Sequence, residues 1–355
     1  MRHRALSNMF DSSCTECRIA VLLLALCACV SADNDSSLPE RAALNAEIRN
    51  SSQVWFWREP IDIAQRDLCY GAGGLEHAPK GTLRFVEEDR NGTTPKFIVV
   101  DGDGVKWTAK LGPEARPETV ASRLVWVAGY FVNEDYFLPK IRIMNMPSHL
   151  HRGQRYVDPG GTVHDVRFKR QVMNAKKLGN WDWEAGPFAG TRELDGLRTL
   201  MALVNNWDLK LVNNSIYEQR QQDGSLVHIY MVTDLGASFG STGIERTETA
   251  SKGNLNRFEH STFLKNVTPT TVDFATPDRA TLFELVNPPA FARRLSLEDI
   301  GRNVPRAHAK WMGELLSHLS PEQIRDAFRA AAYTPQQVEV FARILEARIT
   351  ELRQL

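Results

Sequence analysis

The apolar pattern of this chain changes period partway along, and that change confines it to a mixed architecture with strands first and helices later. Val105, Trp107 and Ala109 alternate with Lys106, Thr108 and Lys110, which puts the apolar set on one face of a strand. Thr82–Val86 and Lys96–Val100 read as strands before it, and Asp101-Gly-Asp-Gly104 turns the chain into the Lys110 strand as a hairpin. Tyr136–Met146 and Thr162–Val172 continue the strand pattern around the turn Asp158-Pro-Gly-Gly161. One helix interrupts, from Glu118 to about Tyr130, with Val120, Leu124 and Val127 at helical spacing. The second regime begins near Gly190. Leu194, Leu197, Leu200, Met201 and Val204 line a helix ending near Asn205, and Leu226–Val232 is a strand. Ser320-Pro-Glu-Gln323 and Thr334-Pro-Gln-Gln337 each place a hydroxyl N-cap, a proline in the first turn and a glutamine at N3, the signature of a capping box. The expected fold class is α+β: a β-rich lobe over 81–185 and a helical lobe over 186–355.

With 355 residues and 43% hydrophobic residues, the chain can bury a sizeable core, which excludes a disordered or collagenous protein. Its 43 basic and 43 acidic residues cancel, so nothing points to a broad nucleic-acid grip, and no nucleic-acid partner is expected.

The first 32 residues stand apart. Arg2, Arg4 and Arg18 precede the apolar run Ile19–Val30, whose twelve residues are too few to cross a bilayer as a helix. They suit a signal peptide cleaved after Val30-Ser31-Ala32, so the protein is expected to be exported. Leu26-Cys-Ala-Cys29 also resembles a bacterial lipoprotein box, which would leave a lipid anchor to the membrane at Cys29 instead of release into the periplasm. Only Cys69 lies beyond this region, so the mature chain has no internal disulfide to form. Residues 33–80 read as an N-terminal extension, with a helix from Pro39 to about Asn50, the aromatic patch Val54-Trp-Phe-Trp57 and the turn Gly71-Ala-Gly-Gly74.

Three separated signals fit one reaction. Asp208 and Asn213 stand five apart in a loop after a helix, Asp234-Leu-Gly236 follows a buried-looking strand, and Lys110 ends a strand with Glu118 early in the next helix. Phosphoryl transfer from ATP needs these charge types: cations to meet the phosphates, and a carboxylate to orient the acceptor hydroxyl and take its proton. Asn213 and Asp234 offer oxygen ligands for Mg²⁺, Asp208 is free to face the hydroxyl, and Lys110 suits the α- and β-phosphates. Glu118 would pair with Lys110 and fix its rotamer, with Glu114 as a nearby rival.

On these residues the chain resembles the protein-kinase-like superfamily. Asp208-Leu-Lys-x-x-Asn213 is similar to the catalytic loop of Ser/Thr kinases, and Asn206 two residues ahead gives it the pattern of bacterial toxin-type Ser/Thr kinases. Asp234-Leu-Gly236 resembles the Asp-Phe-Gly metal turn, and Trp107-Thr-Ala-Lys110 the Val-Ala-x-Lys strand. The resemblance covers roughly residues 80–355 and implies ATP between two lobes, Asp208 and Lys210 as catalytic residues, and the turn with Gly102 and Gly104 as the loop over the phosphates. No Gly-x-Gly-x-x-Gly precedes Lys110, no His-Arg precedes Asp208 and no Ala-Pro-Glu follows Asp234, which places the chain among atypical members. The expected activity is therefore ATP- and Mg²⁺-dependent phosphotransfer to a hydroxyl acceptor, with protein Ser/Thr as one candidate class. The rivals are an inactive kinase-like module that binds nucleotide or another ligand, and an envelope structural protein whose aromatic patch grips a partner.

Other features carry less. Trp181-Asp-Trp183-Glu184 either packs a lobe-joining segment or stacks on a sugar, packing being favoured. His149, His151 and His308 lack partners at metal-ligand spacing, and neither a Gly-x-Ser-x-Gly elbow nor a His-Glu-x-x-His helix occurs.

Overall fold

The computed structural model describes residues 53–92, 94–171, 174–240, 252–276 and 299–355. The export signal of 1–32 and the helix expected from Pro39 to Asn50 lie outside the described residues.

The chain enters as a short strand, β1 (Gln53–Trp55), and then builds a hairpin from β2 (Arg84–Asp89), β3 (Lys96–Val100) and β4 (Lys106–Leu111). Helix α1 (Ala115–Val127) follows, then β5 (Phe131–Val132), β6 (Asp135–Arg142), β7 (Val157–Asp158) and β8 (Thr162–Arg170). Strands β2, β3, β4, β8 and β6 form one antiparallel sheet in that order, with β7 attached to β8. Its core gathers Phe97, Val99, Trp107, Ala109, Val166 and Phe168. The alternation in β4 predicted one wet face, but Thr108 and Lys110 are buried too. The reason is tertiary: α1 packs against β6 and β8 on that side of the sheet.

A second sheet runs β1, β11 (Leu226–Val232), β10 (Asn214–Arg220), β9 (Ala175–Gly179), with β5 parallel to the end of β11. This corrects the expected lobe boundary. The first sheet ends at Arg170 and Ala175 already pairs with Gln219, so the second sheet is joined by Ala175, not near 185. The reading of 33–80 as an extension also fails for its described part. Trp55 pairs with Ile229, Phe56 stacks on Phe188, and Arg123 donates to the carbonyls of Leu68 and Cys69. Trp181 and Trp183 are buried against each other, and the Trp181 indole donates to the Met231 carbonyl, so packing is their observed role.

The back of the molecule is mostly helical. α2 (Arg192–Leu203) is capped by Thr191, and α3 (Leu255–Glu259) leads into a small sheet of β12 (Leu264–Val267), β13 (Thr271–Phe274) and β14 (Val304–Pro305). α4 (Arg306–Leu316), α5 (Pro321–Arg329) and α6 (Pro335–Gln354) close the chain. Both predicted capping boxes form, on Ser320 with Gln323 and on Thr334 with Gln337. Phe239, Phe258, Phe328 and Phe341 pack ring to ring between α3, α5 and α6. The β-rich front and helical back are the α+β arrangement expected from the change of period.

Candidate active site

Lys110 is the next-to-last residue of β4, and α1 begins five residues later. That short connection sets Glu114 just before the helix and Glu118 one turn into it, so both carboxylates face one side. The Lys110 ammonium lies 2.5 Å from Glu114 Oε2, 2.9 Å from Glu118 Oε2 and 3.2 Å from Asp234 Oδ1. Arg167 stands opposite Lys110 on β8 and bonds the other Glu118 oxygen at 3.0 Å and Asp135 at 2.7 Å.

The charges in this cluster bias one another. Burial pulls the Lys110 ammonium down, but Glu118, Asp234 and Glu114 outweigh it and hold it well above the usual lysine range. Burial pushes the Glu118 carboxyl up to about 7 against the pull of Arg167 and Lys110. At Glu114 burial loses to Lys110 and Lys252, which hold its carboxyl at about 2. Asp234 is also held low: the crowding of protein around its half-exposed carboxyl pushes it up, and Lys110 chiefly outweighs that. Both Glu114 and Glu118 therefore partner Lys110. Glu118 is the more firmly fixed, with Arg167 behind it, while Glu114 also accepts from Thr94 Oγ1 at 2.9 Å and pairs with Lys252.

The other half of the site comes from the α2–β10 loop and the end of β11. Asn206 Oδ1 accepts the Asp208 amide at 3.1 Å, Lys210 Nζ lies 2.8 Å from Asp208 Oδ1, and Asn213 Nδ2 donates to the Asp208 carbonyl at 2.6 Å. The Asn213 carbonyl accepts both the amide and the hydroxyl of Thr233, the residue before Asp234. The loop is thus laced to the strand end that touches Lys110. Asp208, Lys210, Asn213, Asp234, Lys110 and Glu118 all belong to this connected set. The Asp234 side chain remains 42% exposed and Asp208 34%, so both carboxylates reach open space. Gly236 has a steric reason to be glycine: a Cβ there would sit 2.8 Å from Glu114 Cβ.

Gly102 and Gly104 do not join the set, which corrects their assignment to the phosphates. Val100 pairs with Lys106 and Lys96 with Lys110, so their turn lies at the opposite end of the hairpin. Six residues of extended strand separate Gly104 from Lys110, roughly 20 Å. The turn is structural: Asp101 accepts the amides of Asp103 and Val105 and the Trp107 indole. The connection at the Lys110 end is the loop 90–95 between β2 and β3. Thr94 reaches Glu114, and the Pro95 carbonyl accepts the Leu111 amide at 2.9 Å. Its Asn91-Gly92 pair was the available signal, since strand register alone places that turn beside the lysine. Nothing in the sequence marked Arg167 or Asp135.

Among the described residues, Glu114, Glu118 and Asp234 form a set of three carboxylates with ligand atoms within 4.8 Å of one another. Lys110 bonds all three, so the ammonium already neutralises that set. Asn213 and Asp234 offer hard oxygen donors, which fits Mg²⁺ chemistry.

No protein-family model matches the chain, and no curated protein matches it. Among solved structures, it is similar to the Helicobacter pylori proinflammatory kinase CtkA, at 10% identity and a TM-score of 0.38 over 76% of this chain and 93% of that one. It is also similar to the Golgi casein kinase, at 12% identity and a TM-score of 0.32 over 78% of this chain and 74% of that one. The same kinase with Mn and ADP bound gives 11% identity and a TM-score of 0.33 over 98% and 95%.

Proposed function

We propose that this protein is an atypical kinase-like phosphotransferase that moves the γ-phosphoryl group of ATP to a hydroxyl acceptor. The observation that carries the reading is the Lys110 ammonium, gripped by Glu118 from α1 and by Asp234 from the end of β11, 124 residues away in sequence. Lys110 would hold the α- and β-phosphates, with Glu118 and Arg167 fixing its position. Asn213 and Asp234 would hold Mg²⁺, which supplies charge neutralisation on the phosphates when bound. Asp208 would accept the acceptor's proton while the hydroxyl oxygen bonds to the γ-phosphorus and the bond to the β–γ bridging oxygen breaks. Lys210, beside Asp208, would meet the transferring phosphoryl oxygens.

The Asn206-x-Asp208-x-x-x-x-Asn213 pattern supports placement near the toxin-type Ser/Thr kinases, with a protein hydroxyl as acceptor. The apolar run Ile19–Val30 supports export, either cleaved after Ala32 or anchored through Cys29. Among the described residues no helix is long and apolar enough to cross a membrane. Glu114, at 2.5 Å from Lys110, competes with phosphate for the ammonium; nucleotide bound with Lys110 still held by Glu114 would lack the cation that aligns its phosphates, which is the second reading, a module that binds nucleotide more weakly and without transfer.

Mg·ATP should raise the melting temperature of the purified protein, and γ-phosphate should appear on an acceptor, on the protein itself or in solution. Asp208→Asn should keep binding and lose transfer. Binding without turnover in the wild type would leave the second reading, and no binding of ATP or ADP would sink both.

A further inference from the structure

The β2–β3 connection is held from behind by a second segment of the chain. Arg152, in the long connection between β6 and β7, donates from Nη1 to the Gly92 carbonyl at 2.5 Å and from Nη2 to the Asp89 carbonyl at 3.1 Å. The grip is reciprocal. Glu88, on β2, accepts the backbone amides of His151 and Arg152, each at 2.8 Å. Gly153 sits at φ +80° against Pro95, where a Cβ would come 2.7 Å from the proline ring. Behind the Lys110 strand, Tyr156 closes on Gly112 in the same way, its hydroxyl 2.9 Å from where a Cβ would be.

Leu150 and Tyr156 of this segment pack on the core of the Lys110 sheet, while Arg152 grips the loop by polar contacts alone. Arg152 spends both terminal nitrogens on the carbonyls of one turn, and its Nε is buried without a hydrogen-bond partner. On the far side the same loop reaches the reaction centre through Thr94 and Glu114. A hairpin loop that must become ordered when a ligand binds lowers affinity by its ordering cost, and a clamp that orders it beforehand restores that affinity.

We propose that Arg152 is a positioning residue, clamping the 89–92 end of the β2–β3 loop beside Lys110 so that the backbone there meets the polyphosphate of the bound nucleotide. This rests on the nucleotide-binding reading above. The clamp acts on the phosphate end alone, because its contacts are with the Asp89 and Gly92 carbonyls of the loop. It predicts a graded ligand dependence: ADP and ATP feel Arg152, and AMP does not.

The test is calorimetric titration of the full chain with Mg·ATP, Mg·ADP and AMP, for wild type, Arg152→Ala and Arg152→Lys, with hydrogen exchange read over 88–92. Arg152→Ala should weaken ATP and ADP roughly tenfold, leave AMP within about twofold, and speed exchange in the loop. Arg152→Lys, which reaches one carbonyl at a time, should fall between. If Arg152→Ala does not fold, Glu88→Gln breaks the reciprocal half of the grip and should show the same ATP-over-AMP selectivity at smaller size. A wild type that binds ATP, with variants that weaken all three ligands alike or none, overturns the clamp and leaves the nucleotide reading standing. A wild type that binds none of the three removes the nucleotide reading, and the clamp's role with it.

Discussion

Arg167 and Lys110 face each other on neighbouring antiparallel strands, and the two cations hold opposite oxygens of a single carboxylate, Glu118. Two buried positive charges side by side are tolerable only because Glu118 lies between them and Asp135 and Asp234 stand at the ends. The cluster is therefore a single unit, and removal of one member leaves others uncompensated.

Arg167→Met should show this directly. It frees Glu118 and Asp135 from their shared partner while keeping the stem volume. Loss of one member of a buried pair costs about 3–5 kcal/mol, so the melting temperature should fall by several degrees or more. Nucleotide affinity should fall as well, because Lys110 loses the anchor behind its own partner. Calorimetry and titration on one preparation check both; retention of full nucleotide affinity would mean that Glu118 does not need Arg167 to hold Lys110.

Glu114 gives a pH test with a definite sign. Its carboxyl sits at about 2 in the folded protein, below the ordinary 4.5. The stabilisation it contributes is present above 4.5 and is lost as pH falls from 4.5 towards 2. Glu114→Gln should thus cost on the order of 2 kcal/mol at neutral pH, with the gap to wild type closing on the acid side. Denaturant melts at several pH values read it, and a gap that does not narrow below 4.5 would count against the Lys110 and Lys252 pairing.

Gly236→Ala should harm binding more than its size suggests. The new methyl would meet Glu114 Cβ and Cγ, at 2.8 and 2.9 Å, and push that carboxylate against Lys110. Overpacking of this kind costs about 1–3 kcal/mol. The expected signature is a lower melting temperature together with weaker Mg·ATP binding.

Gly104→Ala is the contrasting case. Gly104 has φ +81° and open space where a Cβ would go, so the cost is backbone strain of about 1 kcal/mol. Because its turn lies at the far end of the hairpin, nucleotide affinity should not change. A loss of affinity would return that turn to the phosphates.

Arg348 should matter for stability and not for chemistry. Its guanidinium is buried on the rings of Phe258 and Phe263 and donates to the carbonyls of Leu203, Phe258 and Ser261, tying α6 to the ends of α2 and α3. Burial pulls it down to about 10, which still leaves it charged at neutral pH. Arg348→Leu strands those carbonyls and should cost about 2–4 kcal/mol, with affinity for nucleotide unchanged in the protein that remains folded.

The helical half was the more readable. Capping boxes and 3–4 spacings are local devices, so Ser320, Thr334 and the Val338–Leu352 stripe carried their structure in a few neighbouring residues. Likewise the order of Lys110, Asp208, Asn213 and Asp234 on strand, loop and strand end was visible, because each sits where a local element stops. What misled was register. Two turns flank β3, both rich in small or polar residues, and only the pairing of Lys96 with Lys110 shows which one lies beside the lysine. The sheet boundary failed for the same reason: Ala175–Gly179 is a strand in either lobe, and its membership depends on Asn214–Arg220, some 40 residues later.

From residue types and spacing alone follow the α+β class, the capped starts of the last two helices and the pairing of Lys110 with Glu118, whereas the helix expected from Glu118 to Tyr130 runs from Ala115 to Val127. Tertiary structure alone decided that Glu114 joins Glu118, that Arg167 stands behind them, and that the β2–β3 connection and not the glycine turn lies at the Lys110 end of its strand. The physical reason is that a local pattern records which face of an element is apolar, whereas the partner of a buried charge is chosen by strand pairing and by which element closes over that face.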